Sequence, residues 1–535
     1  MFAEDLKRTE KMTVDDVFEQ SAQKMREQGM SEIAISQFRH AYHVWASEKE
    51  SAWIREDAVE PLRGVRSFHD VYKTIDHDKA VHAFAKTAFL KLNGGLGTSM
   101  GLQCAKSLLP VRRHKARQMR FLDIILGQVL TARTRLNVPL PVTFMNSFRT
   151  SDDTMKALRH QRKFKQTDIP LEIIQHQEPK IDAATGAPAS WPANPDLEWC
   201  PPGHGDLFST LRESGLLDTL LEHGFEYLFI SNSDNLGARP SRTLAQYFED
   251  TGAPFMVEIA NRTYADRKGG HIVRDTATGR LILREMSQVH PDDKDAAQDI
   301  AKHPYFNTNN IWVRIDVLRD MLAEHDGVLP LPVIINNKTV DPTTPSAPAV
   351  VQLETAMGAA IGLFEGAICV QVDRMRFLPV KTTNDLFIMR SDRFHLTDSY
   401  EMEDGNYIFP NVDLDPRYYK NIEDFNERFP YNVPSLAAAN SVSIKGDWTF
   451  GRDVIMFADA RLEDRNEPSY VPNGEYVGPM GIEPGDWVLM LSAVRRKNTY
   501  FLTKCKPHTT KPSIMGCGVR DTHAYLIGML TIRED

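Results

Sequence analysis

Residues 87–106 read TAFLKLNGGLGTSMGLQCAK. The apolar run Ala88-Phe89-Leu90 with Leu92 has the pattern of a short buried strand. It halts at Asn93 and opens into Gly94-Gly95-Leu96-Gly97, followed by Gly101 and Lys106. Glycine has no Cβ and tolerates positive φ, so successive backbone N–H groups can curl around a phosphate. A strand entering such a loop, with a lysine just beyond, points to a nucleotide phosphate site. The pattern is neither G-x-G-x-x-G nor G-x-x-x-x-G-K-[ST], and a glycine-rich turn serves plain structure as readily. The other strand ends have to decide.

Those ends lie in a region, 86–395, where strand and helix patterns alternate. Strand-like runs cover 87–92, 142–146, 171–175, 226–231 and 254–259; helical patterns cover 116–136 and 205–223. Such alternation predicts an α/β fold with a mainly parallel sheet, whose ligands sit beyond the carboxyl ends of the strands. The residues found there are polar: Asn146 to Asp153, Gln175-His176-Gln177, and Ser231-Asn232-Ser233-Asp234-Asn235. Each can be a cap or turn; four in one sheet suit a ligand. Asp234 is the candidate metal ligand, since Mg²⁺ takes one or two carboxylates plus substrate phosphates. Turns at 201–206 and 268–270 and the asparagines of FNTNN (306–310) add hydrogen-bonding groups, and Lys381 in RFLPVKTTND offers a second cation.

Composition narrows the class. A 535-residue chain is too long for one core. Its apolar and charged fractions, 42% and 25%, are ordinary for a globular protein, and the net charge of −9 argues against nucleic-acid binding. The basic run Arg112 to Arg120 is either a solvated face or a steering patch for polyphosphate. Five scattered cysteines show no C-x-x-C pair, which fits a reducing cytoplasm. No apolar run approaches membrane length, and the first residues, MFAEDLKRTEKM, lack a signal-peptide core, so no membrane association is expected.

Residues 1–85 are predicted to be an ancillary helical region, with Thr13 and Ser31 as N-caps. From 396 to 535 the rhythm changes. Val442, Trp448, Val454 and Ala460, like Ile444, Phe450, Met456 and Leu462, recur every six residues. Tyr470, Tyr476, Ile482 and Val488 resume the period after a slip. A six-residue period is that of a β-helix, although a non-repetitive β domain also fits. Such a domain can stack on a second copy, making a homo-oligomer plausible. Arg495-Arg496-Lys497 reads as a solvated turn.

Taken together, LKLNGGLGTSMG (90–101), MNSFRTSDDT (145–154), PPGHGDLFSTLRESGLLD (201–218), SNSDNLGA (231–238), KGG (268–270), FNTNN (306–310), QLETAMGAAI (352–361) and RFLPVKTTNDL (376–386) resemble the UTP–glucose-1-phosphate uridylyltransferase family in its larger, eukaryotic form. The resemblance implies a glycosyltransferase-A-like nucleotidyltransferase with a small C-terminal β-helix. It implies UTP and glucose 1-phosphate as substrates, UDP-glucose and pyrophosphate as products, and Mg²⁺ as cofactor. Carried over by motif, Leu92, Asn93, Gly94, Gly95, Leu96 and Gly97 hold the nucleotide, with Lys106 and Lys381 on the phosphates. Met145 and Gln175 face the uracil, Gly203 and His204 the nucleotide and sugar phosphate, and Asn232 and Asp234 the ribose and metal. Gly270, Glu285, Asn307 and Asn309 line the sugar. The segment Gln175 to Pro179 keeps only its glutamine and proline, and residues 341–348 lengthen a loop expected near the sugar end. Galactose or N-acetylhexosamine phosphates are the alternative acceptors, and a nucleotide-sugar-binding protein without catalysis is the rival class. A metal-binding D-x-D glycosyltransferase is disfavoured, since 232–234 reads Asn-Ser-Asp.

Overall fold

The computed structural model describes residues 13–47, 53–115, 117–344, 346–404 and 409–482, and the backbone of strands Val488–Ser492, Thr499–Cys505 and Met529–Thr531. Its centre is a seven-stranded sheet. From one edge to the other run Ile368–Gln371, Phe255–Asn261, Tyr305–Arg314, Tyr227–Asn232, Thr87–Leu92, Val142–Asn146 and Glu172–Ile174. All neighbours are parallel except at Tyr305–Arg314, which runs against both of its partners. The alternation of strands and helices thus gave the mainly parallel sheet expected, with one reversed strand inside it.

Burial on both faces explains the near-continuous apolar runs. Ala88, Leu90, Leu228 and Ile230 enter one core, Phe89, Phe229 and Trp312 the other, following the two-residue period of a strand. The helical pattern at 205–223 breaks into Leu207–Glu213 and Leu216–Glu222, because Gly215 adopts a left-handed conformation at φ 66°. The pattern at 116–136 starts later than expected: Arg117–Arg120 pairs with Pro110–His114 as a hairpin, and the helix is Phe121–Leu136.

Thr13 and Ser31 cap Val14–Glu27 and Glu32–Ala46 as read from sequence. Phe18, Phe38 and Tyr42 from this helical pair bury Ile181, Val333 and Leu353 of a three-stranded sheet made by Val333–Thr339, Ala349–Thr355 and Ile181–Asp182. Residues 341–348 join the far ends of two of those strands; Ala347 packs with Ala189, and the adjoining Val340 carbonyl accepts from Lys180. That places them a seven-residue strand, roughly 20 Å, from Thr355.

From Asn411 to Gly478 the strands stack in parallel, whereas Gly481–Ile482 and the strands Val488–Ser492, Thr499–Cys505 and Met529–Thr531 pair antiparallel. Val442 pairs with Ala460 and Ile444 with Leu462, a step of 18 residues, like that from Ser441 to Asp459. Further on, Trp448 pairs with Ser469 and Phe450 with Val471; the step there is 21, like that from Arg452 to Asn473. The inserted residues shift the inward positions to Val471 and Val477, both buried, whereas Tyr470 is half exposed. The tyrosine register read after the slip is therefore off by one. Arg495-Arg496-Lys497 and the side chain of Val488 lie outside the described residues. The buried side chains of this stack join those of helices Phe121–Leu136 and Thr383–Arg390 in one continuous apolar cluster.

Candidate active site

Three strand ends and one crossover loop meet above the central sheet. Asn93 ties the strands together. Its side chain donates to Asn146 Oδ1 (2.7 Å) and Thr154 Oγ1 (2.9 Å) and accepts from Ser233 (2.9 Å), while its N–H reaches the Met145 carbonyl (2.7 Å). Its amide is thus committed inside the protein, and its backbone launches the glycine loop. Met145 is buried beside Leu90 and Ile173.

The loop itself folds back on its own base. Leu96 bridges Ala105, Lys106 N–H bonds the Gly95 carbonyl (3.3 Å), and a short turn at Thr98–Met100 starts from Gly97. A Cβ on Gly94 would lie 2.3 Å from Gln175 Oε1, so a larger residue there would push the glutamine amide aside. Gln175 then donates to the Gly203 carbonyl (2.9 Å). Gly203 has φ 80° and sits against the Thr355 backbone, where a Cβ would come within 2.5 Å of its carbonyl. The next residue, His204, accepts a hydrogen bond at Nδ1 from Met357 N–H (3.0 Å), and burial lowers its pKa to about 4. It is neutral at pH 7.

Lys106 and Asp234 meet across the loop. Nζ lies 2.7 Å from Oδ2, with both side chains mostly covered, while Asp234 Oδ1 is buried without a partner. An unpaired carboxylate oxygen at a strand end fits a cation. Among the described residues no group of three or more His, Cys, Asp or Glu can hold a metal, so a Mg²⁺ ion here would complete its shell with phosphate and water oxygens. Asn232 lies half-buried at the same strand end.

Lys381 is exposed, two residues beyond Pro379, which bridges Asn235 next to Asp234. Its carbonyl accepts from Ser99 of the glycine loop (2.9 Å), and its N–H and that of Thr382 bond Asp385, which caps helix Thr383–Arg390. Burial raises the pKa of Glu285, and the charge of Lys381 works against that shift, which places the two side chains within each other's field. Glu285 also packs against Gly270, where a Cβ would approach its carboxylate to 2.6 Å. The Gly270 carbonyl receives Asn307 N–H (3.1 Å). Asn307 and Asn309 bond each other, Asn309 at φ 58°, opposite a register shift between Glu258 and Ile259. The nominated residues thus fall in two linked groups: the glycine loop with Gln175, Gly203, His204, Lys106 and Asp234, and a pocket of Gly270, Glu285, Asn307 and Asn309 adjoining Lys381.

One buried network went unread in the sequence. Glu258 accepts from Arg376 Nε (2.8 Å) and Nη2 (2.7 Å), Trp312 Nε1 (3.0 Å) and Asn310 (3.0 Å). The Arg376 carbonyl accepts from Asn235 and Asn310, and Asn235 Oδ1 accepts from Leu378 N–H (2.8 Å). Val380 N–H closes onto the Asp234 carbonyl (3.3 Å). The segment leading to Lys381 is therefore bolted to the loop carrying Asp234. Beneath them Lys91 is buried, with Nζ bonded to Ser231 (2.7 Å) and the Ala238 carbonyl (2.8 Å); burial and then Arg376 lower its pKa to about 7, against Glu258. The available signal was a glutamate in the apolar run FMVEIA and an arginine before FLPV.

Known proteins resemble this chain in sequence and fold. The family model described as UTP–glucose-1-phosphate uridylyltransferase matches residues 35–456. The barley (Hordeum vulgare) enzyme of that name is 37% identical over 376 residues, covering 69% of this chain and 76% of that enzyme. A probable one from Schizosaccharomyces pombe is 36% identical over 408 residues, covering 74% and 78%. Among solved structures, a variant UDP-glucose pyrophosphorylase from Leishmania major in complex with UDP-glucose superposes with a TM-score of 0.79 at 38% identity, covering 86% of this chain and 98% of that one. A Trypanosoma brucei protein called UDP-glucose phosphorylase gives 0.78 at 37%, covering 86% and 99%. With the family model matching well over half its length, this chain belongs to the UTP–glucose-1-phosphate uridylyltransferase family.

Proposed function

We propose that the chain transfers a uridylyl group from UTP to glucose 1-phosphate, giving UDP-glucose and pyrophosphate reversibly. The observation that carries this reading is the pairing of Lys106 with Asp234 at the mouth of the glycine loop, with Asp234 Oδ1 left free. The names of the relatives and the UDP-glucose held by the Leishmania protein support it.

The nucleophile is a phosphate oxygen of the sugar phosphate, already ionised near pH 7 because its second pKa is about 6. No general base is needed. The obstacle is the approach of two polyanions: unit charges 4 Å apart repel by about 4 kcal/mol at an effective dielectric of 20. Lys106 and Lys381 offset that repulsion and stabilise charge at the α-phosphorus and departing pyrophosphate. Mg²⁺ bound at Asp234 would supply Lewis-acid charge to the phosphates. Gln175 and the glycine loop hold the nucleotide, and Gly270, Glu285, Asn307 and Asn309 the sugar. Displacement is direct and in line, without a covalent enzyme intermediate.

In the same reading, 86–395 is the catalytic domain, of glycosyltransferase-A-like nucleotidyltransferase type. Residues 1–85 form a helical addition, and 396–535 a β-helix-like domain, supported by its parallel 18-residue steps. Its described edge strands, Asn411–Leu414 and Gly481–Ile482, are where a second copy would add in a homo-oligomer. No described helix is long and apolar enough to cross a membrane, which accords with a cytoplasmic location. A panel of sugar 1-phosphates with pyrophosphate release as readout tests the assignment. Glucose 1-phosphate should lead; equal or faster use of galactose or N-acetylhexosamine phosphates would replace it with the broader activity.

A further inference from the structure

Resting on the uridylyltransferase reading, we propose that His176, as a doubly protonated ring clamped between Asp206 and Glu213, is the positioning residue for the nucleobase side of the cleft. Nδ1 lies 2.7 Å from Asp206 Oδ1, and Nε2 lies 2.8 Å from Glu213 Oε2. A carboxylate only accepts, so both ring nitrogens must donate, and only the imidazolium does that. Asp206 is fully buried and also accepts from the His176 backbone N–H (2.8 Å) and the Thr210 hydroxyl (3.1 Å). Residue 176 is thus held at both backbone and ring.

What it holds in place is the preceding residue. Gln175 bonds the Asn146 carbonyl through its N–H (2.7 Å) and the Gly203 carbonyl through its amide (2.9 Å), and presses its Oε1 against Gly94. It is a wedge between the glycine loop and the turn at 201–206, and the clamp on residue 176 fixes the backbone from which it projects. At its outer end Glu213 accepts from the Ser31 hydroxyl (2.5 Å), the cap of helix Glu32–Ala46. The N-terminal helical pair, which carries no chemistry of its own, therefore braces the nucleotide loops through Ser31, Glu213 and His176.

The test is steady-state kinetics on the full chain bearing His176→Gln, with UTP, CTP and glucose 1-phosphate varied in turn. Loss of one anchoring bond predicts a KM for UTP raised about tenfold, with kcat and the KM for glucose 1-phosphate within about twofold. The preference for UTP over CTP should narrow, a change that mere loss of stability would not produce. An unchanged KM for UTP, or equal rises for both substrates at an unchanged UTP preference, overturns the proposal. Should His176→Gln fail to fold, Glu213→Ala at the partly exposed end of the clamp should raise the KM for UTP about threefold, and no rise overturns it. Wild-type protein that fails to consume UTP with glucose 1-phosphate overturns the parent reading and this proposal with it; turnover by the wild type confines any failure to the clamp.

Discussion

Lys106 Nζ lies 2.7 Å from Asp234 Oδ2, and the other oxygen of that carboxylate is buried with no partner. In the proposed reaction a polyphosphate would take the ammonium and a cation the carboxylate.

Replacing Asp234 with Asn keeps the shape and removes the charge. Turnover should fall about a hundredfold or more, and added Mg²⁺ should not restore it. Initial rates across a Mg²⁺ titration decide this; a variant that reaches wild-type rate at high Mg²⁺ would make Asp234 dispensable.

Lys381→Ala removes an exposed side chain whose backbone, not its ammonium, is tied to Ser99 and Asp385. Stability should stay within about 0.5 kcal/mol, while kcat drops about 10²- to 10³-fold. Thermal melts and turnover measured together separate the two, and near-normal turnover would remove Lys381 from the site.

Glu258→Gln leaves Arg376 buried without its counter-charge. Breaking such a pair costs about 3–5 kcal/mol, readable by urea denaturation. Because the Arg376 segment is tied to Asn235 and leads to Lys381, activity in the surviving folded fraction should also fall. A variant as stable as the wild type would show that the pair contributes little.

The central strand ends were legible because buried strands write themselves as apolar runs that give way to polar or glycine residues, at the strand end for Leu92-Asn93 and two residues before it in Tyr227–Asn232. The six-residue rhythm was legible for the same reason up to Leu462; three added residues per step then moved the inward positions from Tyr470 to Val471. What the sequence withheld is pairing at long range. Glu258 and Arg376 are 118 residues apart, and nothing local says that a glutamate in an apolar strand has found a guanidinium. His176 was visible only as part of a segment that departs from the family pattern. Its meaning depends on Asp206 and Glu213, brought to it by the turn at 201–206 and the helix after it. The reversal of Tyr305–Arg314 was equally hidden, since a strand's apolar run carries no direction.

Stability against pH reports on His176 separately from activity. Burial opposes its protonation, but the bonds and charges of Asp206 and then Glu213 prevail and raise its pKa to about 9, above the ordinary value of 6.5. The folded protein therefore binds this proton more tightly than the unfolded chain. The stabilisation is complete below about pH 6.5 and is lost as pH rises through about 9, with about 3 kcal/mol at stake. Denaturant melts of wild type and His176→Gln from pH 6 to 10 should converge at the alkaline end; a constant gap would contradict the clamp's charge.

The most direct test of the whole account is UTP consumption by the purified chain with glucose 1-phosphate, with and without Mg²⁺. The account predicts UDP-glucose and pyrophosphate in equal amounts, formed only when the divalent cation is present. Full turnover in the presence of a chelator, or UTP loss without UDP-glucose, would contradict it.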